Sequence, residues 1–174
     1  KSVVDALTNR DGRMQGTVVP ELRFQGMISN YSSSGYSSLK FLNEQFKDDQ
    51  MGTSYVNTTD APIIRYGEVL MNYAEAAAEL GTLTQAELDK SLNVLRARAG
   101  VNLPKLEILA GQPAVNGKVY DDPNRDASVT SLLWEIRRER RAELIFEGFR
   151  LDDLKRWKKL DYADTQKNPA INTG

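Results

Sequence analysis

The 174-residue chain contains no cysteine and no histidine. Without thiols there is no disulfide, no thiolate nucleophile and no cysteine ligand for zinc. Without imidazole, histidine-based zinc centres and catalytic triads fall away as well. The missing cysteines leave the compartment open, because such a chain is stable in reducing and oxidising surroundings alike. No apolar run approaches the roughly 20 residues that cross a bilayer. A surplus of one charge is lacking too. Lysine and arginine number 23 against 24 acids, a net charge of −1, so no overall field draws the chain to polyanions. Gly-rich phosphate loops are absent, and the glycines punctuate turns and helix ends.

The opening "KSVVDALTNRDGRMQG" has no apolar segment of the signal-peptide kind and does not start with methionine. The expectation is a fragment or a processed chain, with any targeting signal upstream. What is present is an ordinary globular composition, 40% hydrophobic and 27% charged, long enough for one domain with a core.

Residues 1–60 read as irregular. "TNRDGRMQG" is turn-rich and "SNYSSSGYSS" is a polar loop, so surface loops packed on a helical body are expected there. "LKFLNEQF" alternates briefly and suits a strand. Residues 61–100 are clearer. Asp60 and Pro62 open a helix in which Ile63, Gly67, Leu70, Met71, Ala74, Ala77 and Ala78 recur at helical spacing, and Gly81 stops it. Thr84 and Glu87 then form a capping box. Leu88, Leu92, Leu95 and Ala99 make the stripe of a second helix ending at Gly100. So short a link predicts an antiparallel pair, with Gly67, Ala74 and Ala78 letting backbones approach. The pair resembles one tetratricopeptide-type hairpin, without a second copy at the expected period. Residues 101–127 are a connector in which Asn116-Gly117, between Val115 and Val119, signals a β-hairpin. Charged helices are expected over 128–160, capped at Ser128, and a polar tail over 161–174. The fold class is therefore mainly α: a helical hairpin, a long C-terminal helix, irregular loops and a small β-hairpin.

The last helix changes chemistry along one face. Val129, Leu132, Leu133 and Ile136 define an apolar side, and the same side continues as Arg140, Glu143, Glu147, Arg150 and Leu154. Arg140 with Glu143, and Glu147 with Arg150, are spaced to pair. Glu139, Glu143 and Glu147 recur every four residues and repel unless other cations neutralise them. Arg65, Arg96 and Arg98 of the hairpin are the donors expected to do so. A partly buried ion network joining the last helix to the hairpin follows, and Glu143→Ala is expected to destabilise by several kcal/mol, about 3–5 for an orphaned buried charge. Nucleic acid is not the expected partner. Residues 135–150 hold five arginines against four glutamates, and Arg137, Arg138, Arg140 and Arg141 spread around the helix instead of forming a basic stripe. A bundle metal centre would need Glu-x-x-His, and nothing marks a hydrolytic carboxylate pair. No metal and no cofactor is expected.

Two stretches carry a family resemblance. "PIIRYGEVLMNYAEAAAELG" with "LNVLRARAGV" supplies Arg65, Glu68, Glu75, Arg96 and Arg98. "IRRERRAELIFEGFRLDDLKRW" supplies Glu139, Arg140, Arg141, Glu143, Glu147, Gly148, Arg150, Asp153, Arg156 and Trp157. Together, in this order, they resemble the C-terminal region of the SusD/RagB family of bacterial outer-membrane nutrient-binding lipoproteins, over residues 61–100 and about 130–158. Residues 1–60 resemble it only loosely.

The resemblance implies a partial SusD-like fold and a surface-exposed lipoprotein whose anchor is not in this chain. It implies non-catalytic capture of a glycan or oligosaccharide and delivery to a SusC-like TonB-dependent transporter. It implies that the motif residues, Asp153 among them, are architectural. A sugar site needs aromatic platforms and amide or charged groups; Tyr31 and Tyr36 with Asn30 have that composition. Trp134 and Trp157 are expected to pack. The alternatives are a helical protein-interaction module with no sugar ligand, and a hydrolase with an unmarked carboxylate pair.

Overall fold

A computed structural model describes residues 3–22, 36–41, 60, 62–164 and 166. Among these residues the protein is mainly helical with one small antiparallel sheet. The chain divides into two compact units, residues 1–143 and 144–174.

The first unit opens with two short helices, α1 (Val3–Leu7) and α2 (Gly12–Gln15). The turn-rich reading of this stretch misses them. Asp11 starts α2 by accepting from the Arg13 backbone N–H at 3.0 Å, an N-cap contact. From α2 onward the chain goes inward: Arg13 within the helix and Thr17, Val18 and Val19 after it are buried, so this is not a surface loop. A single antiparallel bridge joins Val18 to Ser38. Of the strand expected from Leu39 onward, residues 39–41 are loop and turn and residues 42–46 lie outside those described.

The helical hairpin follows. Helix α3 (Tyr66–Glu79) buries Leu70, Met71, Ala74 and Ala77, and Gly81 behind it has φ +71°. Ile63 is not part of this face: it precedes the helix and is 93% exposed. Thr84 and Glu87 form the capping box of α4 (Gln85–Lys90). The expected second helix is broken there, and α5 (Leu92–Arg96) begins after Ser91. Fully buried Ser91 donates its hydroxyl to the Glu87 carbonyl at 2.7 Å and has φ −120°, ψ −98°. A serine hydroxyl competing for backbone acceptors interrupts a helix in this way. Ala99 is exposed beyond the end of α5.

Residues 107–119 form a three-stranded meander, β1 (Glu107–Leu109), β2 (Gln112–Val115) and β3 (Lys118–Val119). Asn116 and Gly117 have φ +51° and +72°, the paired positive values of the favoured two-residue hairpin turn. Two amides fasten the strand edge to the helices. Asn93 both donates to the Leu106 carbonyl and accepts from its N–H, at 2.9 and 2.8 Å, and Gln85 accepts from the Ile108 N–H at 2.8 Å.

Helix α6 (Ser131–Glu143) completes this unit and packs most extensively on α3. Thr130, not Ser128, lies at its start, with its hydroxyl 3.4 Å from the Leu133 N–H. Leu70, Met71, Leu88, Leu92, Leu95, Leu106 and Ile136 make the main core. In the second unit, α7 (Arg150–Arg156) is followed by a 3-10 turn, Leu160–Ala163. The last long helix, α6, does not continue across Gly148. It stops at Glu143, and Phe146 and Gly148 have φ +65° and +85°, left-handed values that end a right-handed helix.

Candidate functional site

Helix α6 presents four acidic or basic groups to the interior of the first unit: Glu135, Glu139, Arg140 and Glu143 are all buried. Glu139, 1% exposed, is the hub. Arg96 of α5 donates to its Oε1, Arg138 donates to the same oxygen at 2.9 Å, and Arg13 of α2 brings Nη1 within 2.8 Å of Oε2. One turn on, Glu143 takes a two-pronged contact from Arg98 at 2.9 and 3.1 Å and lies 3.5 Å from Arg65. Lys40 donates to the Glu143 carbonyl oxygen at 2.6 Å. Arg140 turns to α3, donating to Asn72 at 2.6 Å with Nε 3.6 Å from buried Glu75. Arg137 spans Glu75 and Glu79, at 3.6 and 2.9 Å.

Of the residues singled out from the sequence, Arg65, Arg96, Arg98, Glu139, Arg140 and Glu143 thus meet within the first unit. The helical column Glu139, Glu143, Glu147 does not form, because Glu147 belongs to the turn after α6 and not to the helix. In the second unit Asp153 is buried and accepts from Arg156 at 2.9 Å, and Arg150 and Arg156 stand 5.4 and 5.0 Å over the ring of buried Trp157. Trp134 donates its indole N–H to Asp122 at 3.0 Å. Tyr36 is 47% exposed; Asn30 and Tyr31 lie outside the described residues.

Among the participants that sequence reasoning missed, with Lys40 and Asn72, the most deeply placed is Arg13. It sits in a stretch without periodicity, yet its guanidinium is held by both oxygens of Asp11, with Nη2 at 2.5 Å, and faces Glu139. Asp11-Gly12-Arg13 does carry a signal. A Cβ on Gly12 would collide with the Gly100 carbonyl oxygen, so only glycine lets α2 approach the end of the hairpin this closely. Gly67 has a similar place in α3, where an added Cβ would crowd Glu143 and Arg65.

Among the described residues no group of three or more acids is placed to hold a metal ion, and no helix is long and apolar enough to cross a membrane. Of the motif residues that bear the resemblance, Arg65, Glu75, Arg96, Arg98, Glu139, Arg140 and Glu143 take part in the contacts that link α6 to the helical hairpin, and the family model of the SusD family matches residues 6–173. The chain belongs to the SusD family. No curated protein and no solved structure matches it significantly. The SusD family is a non-catalytic, outer-membrane-associated family that binds glycans in nutrient uptake.

The electrostatics of this SusD-family chain give one pH prediction. Burial alone would raise the Asp11 pKa, but hydrogen bonds from the Arg13 side chain and backbone, and the Arg13 charge, hold it below its ordinary 3.8. A depressed folded-state pKa means the contribution to stability is complete above the unfolded value and is lost as pH falls through the folded one. Thermal melts between pH 7 and pH 2.5 should therefore show a decline below about pH 4 that Asp11→Asn makes shallower. Identical slopes would mean that the pair is solvated. At the other end of the scale, burial, then the charge and hydrogen bond of Glu135, raise the Tyr120 phenol above its ordinary value.

Proposed function

We propose that the protein is a non-catalytic glycan-binding component of a nutrient-uptake system. It works at the bacterial outer-membrane surface, lipid-anchored in its full-length form, and passes an oligosaccharide to a SusC-like TonB-dependent transporter. The family match over residues 6–173 carries this reading. In it, the ion network is scaffolding. Glu75, Glu139 and Glu143 each lie against two or more arginines, whereas a carboxylate acting as general acid or base needs to exchange a proton with substrate. Arg150 and Asp153 serve the second unit in the same way, and Glu147 belongs with them. Sugar contacts fall to the polar loop with Asn30, Tyr31 and Tyr36, whose rings and amide suit the apolar and hydroxyl faces of a sugar. Titration of the full-length protein with oligosaccharides should give saturable binding and no cleavage; release of reducing ends by a pure sample would overturn the reading.

A second reading, a helical module whose ligand is another protein, is favoured by one observation. Ile63, Ile64, Tyr66, Val69, Tyr73 and Leu80 are all exposed along and just before α3, and contiguous apolar surface marks interaction sites. A glycan array without a hit, together with firm binding to the transporter, would select it.

A further inference from the structure

The sequence holds one Asn-Gly pair, Asn116-Gly117, and it forms the tip of the β2–β3 hairpin. Both residues are exposed, with the left-handed φ values of +51° and +72° already noted. An asparagine followed by glycine is chemically vulnerable. The backbone nitrogen of the following residue can attack the side-chain amide carbon, and glycine has no Cβ to crowd that approach. Asn9 and Asn102 also have positive φ, but Arg10 and Leu103 follow them, so a side chain screens the nitrogen there.

One contact opposes the attack. The Gly117 N–H donates to Glu107 Oε2 at 2.7 Å. Glu107 stands on β1, opposite Ala114 of β2, so its side chain reaches across β2 to the turn beyond. A hydrogen bond to an ionised acceptor is stronger than a neutral one, and while this one is made the nitrogen keeps its proton. The carboxylate also disfavours, by its charge, the negative charge that builds on the nitrogen as the proton leaves. We propose that Asn116 is a deamidation site whose reaction is held back by Glu107. The Gly117 nitrogen gives its proton to hydroxide and bonds to the Asn116 side-chain carbon. The carbon–nitrogen bond of the side-chain amide breaks, and ammonia leaves with a proton taken from water. Water then opens either carbonyl of the cyclic imide, giving aspartate or isoaspartate with no change of oxidation state. Both products disturb the hairpin. Each puts a new carboxylate beside Glu107, and isoaspartate lengthens the backbone of a turn whose length sets the strand register. Strand β3 is short, and Tyr120 behind it packs on the main core and donates its N–H to the Pro113 carbonyl at 3.1 Å. The modification therefore loosens the meander where it meets the core.

Incubation of the full-length protein in mildly alkaline buffer, followed by proteolysis and mass spectrometry of the peptide bearing residues 116 and 117, tests this. The folded protein should deamidate slowly at this pair. Glu107→Ala should speed the reaction roughly tenfold, the factor that corresponds to losing one charge-assisted hydrogen bond. Glu107→Gln, which keeps a neutral acceptor, should fall between the two and provides the comparison should the alanine variant fold poorly. In urea all three chains should react at one common, faster rate, because the contact exists only in the folded state. Folded variants reacting no faster than the unsubstituted protein, or product appearing at other asparagines in preference to Asn116, would overturn the proposal.

Discussion

Glu139→Ala should lower the free energy of unfolding by about 3–5 kcal/mol, the cost of leaving buried charge without its partner. Two of the three arginines that converge on this carboxylate, Arg13 and Arg96, are themselves buried. Arg13 would keep Asp11 and Arg138 would keep Glu135, but Arg96 would retain only its bond to the Pro104 carbonyl among the contacts described here. Glu143→Ala is the milder change, about 1–3 kcal/mol, because Arg98 and Arg65 reach solvent and can hydrate. The order of the two effects follows the burial of their partners, and the cost at Glu143 falls below the several kcal/mol expected from the sequence. Urea denaturation of both variants reads it, provided the m-value stays constant. A Glu139→Ala midpoint equal to that of the unsubstituted chain would mean that water already reaches the hub.

The second large effect is expected at Ile136, the fully buried apolar side chain that α6 contributes to the main core, beside partly buried Leu132. Ile136→Ala removes a side chain packed with Leu70, Met71 and Leu92 and should cost about 2–5 kcal/mol, whereas Ile136→Val should cost about 0.5–1.5. The position is sensitive because its helical neighbours Glu139 and Arg140 are tied to partners on other elements, which opposes a slide of the helix to close the cavity. A loss below about 1 kcal/mol for the alanine variant would mean that the helix does move.

Where local chemistry determined the structure, it was legible. The Thr84–Glu87 capping box, the stop at Gly81 and the Asn116-Gly117 turn each depend on residues within a few positions of one another, and each is present. The polarity switch on α6 was legible as well, because a buried face that turns ionic needs counter-ions, and the paired helices offered them. Three features were hidden for physical reasons. Ser91 breaks a helix through a hydroxyl contact that a helical period does not reveal. Strand β1 pairs with β2 through Ala110-Gly111, whose φ values of +51° and +77° are not announced by the usual Asn-Gly signature. Arg13 reaches the network by tertiary approach alone, from a segment with no periodic face. Conversely, the four-residue spacing of Glu139, Glu143 and Glu147 promised a column that the left-handed residues Phe146 and Gly148 prevent.

A double-mutant cycle on Arg96 and Glu139, followed by urea denaturation at 0.05 and 1 M salt on the order of those used to screen surface charge, addresses the buried network itself. The two groups share a contact between α5 and α6 with both side chains at or below 5% exposure. Their coupling should be about 2–3 kcal/mol and should change little between the two salt concentrations, because ions do not penetrate to the pair. A coupling near zero, or one that disappears at the higher concentration, would mean that Arg96 and Glu139 face water and hold nothing together.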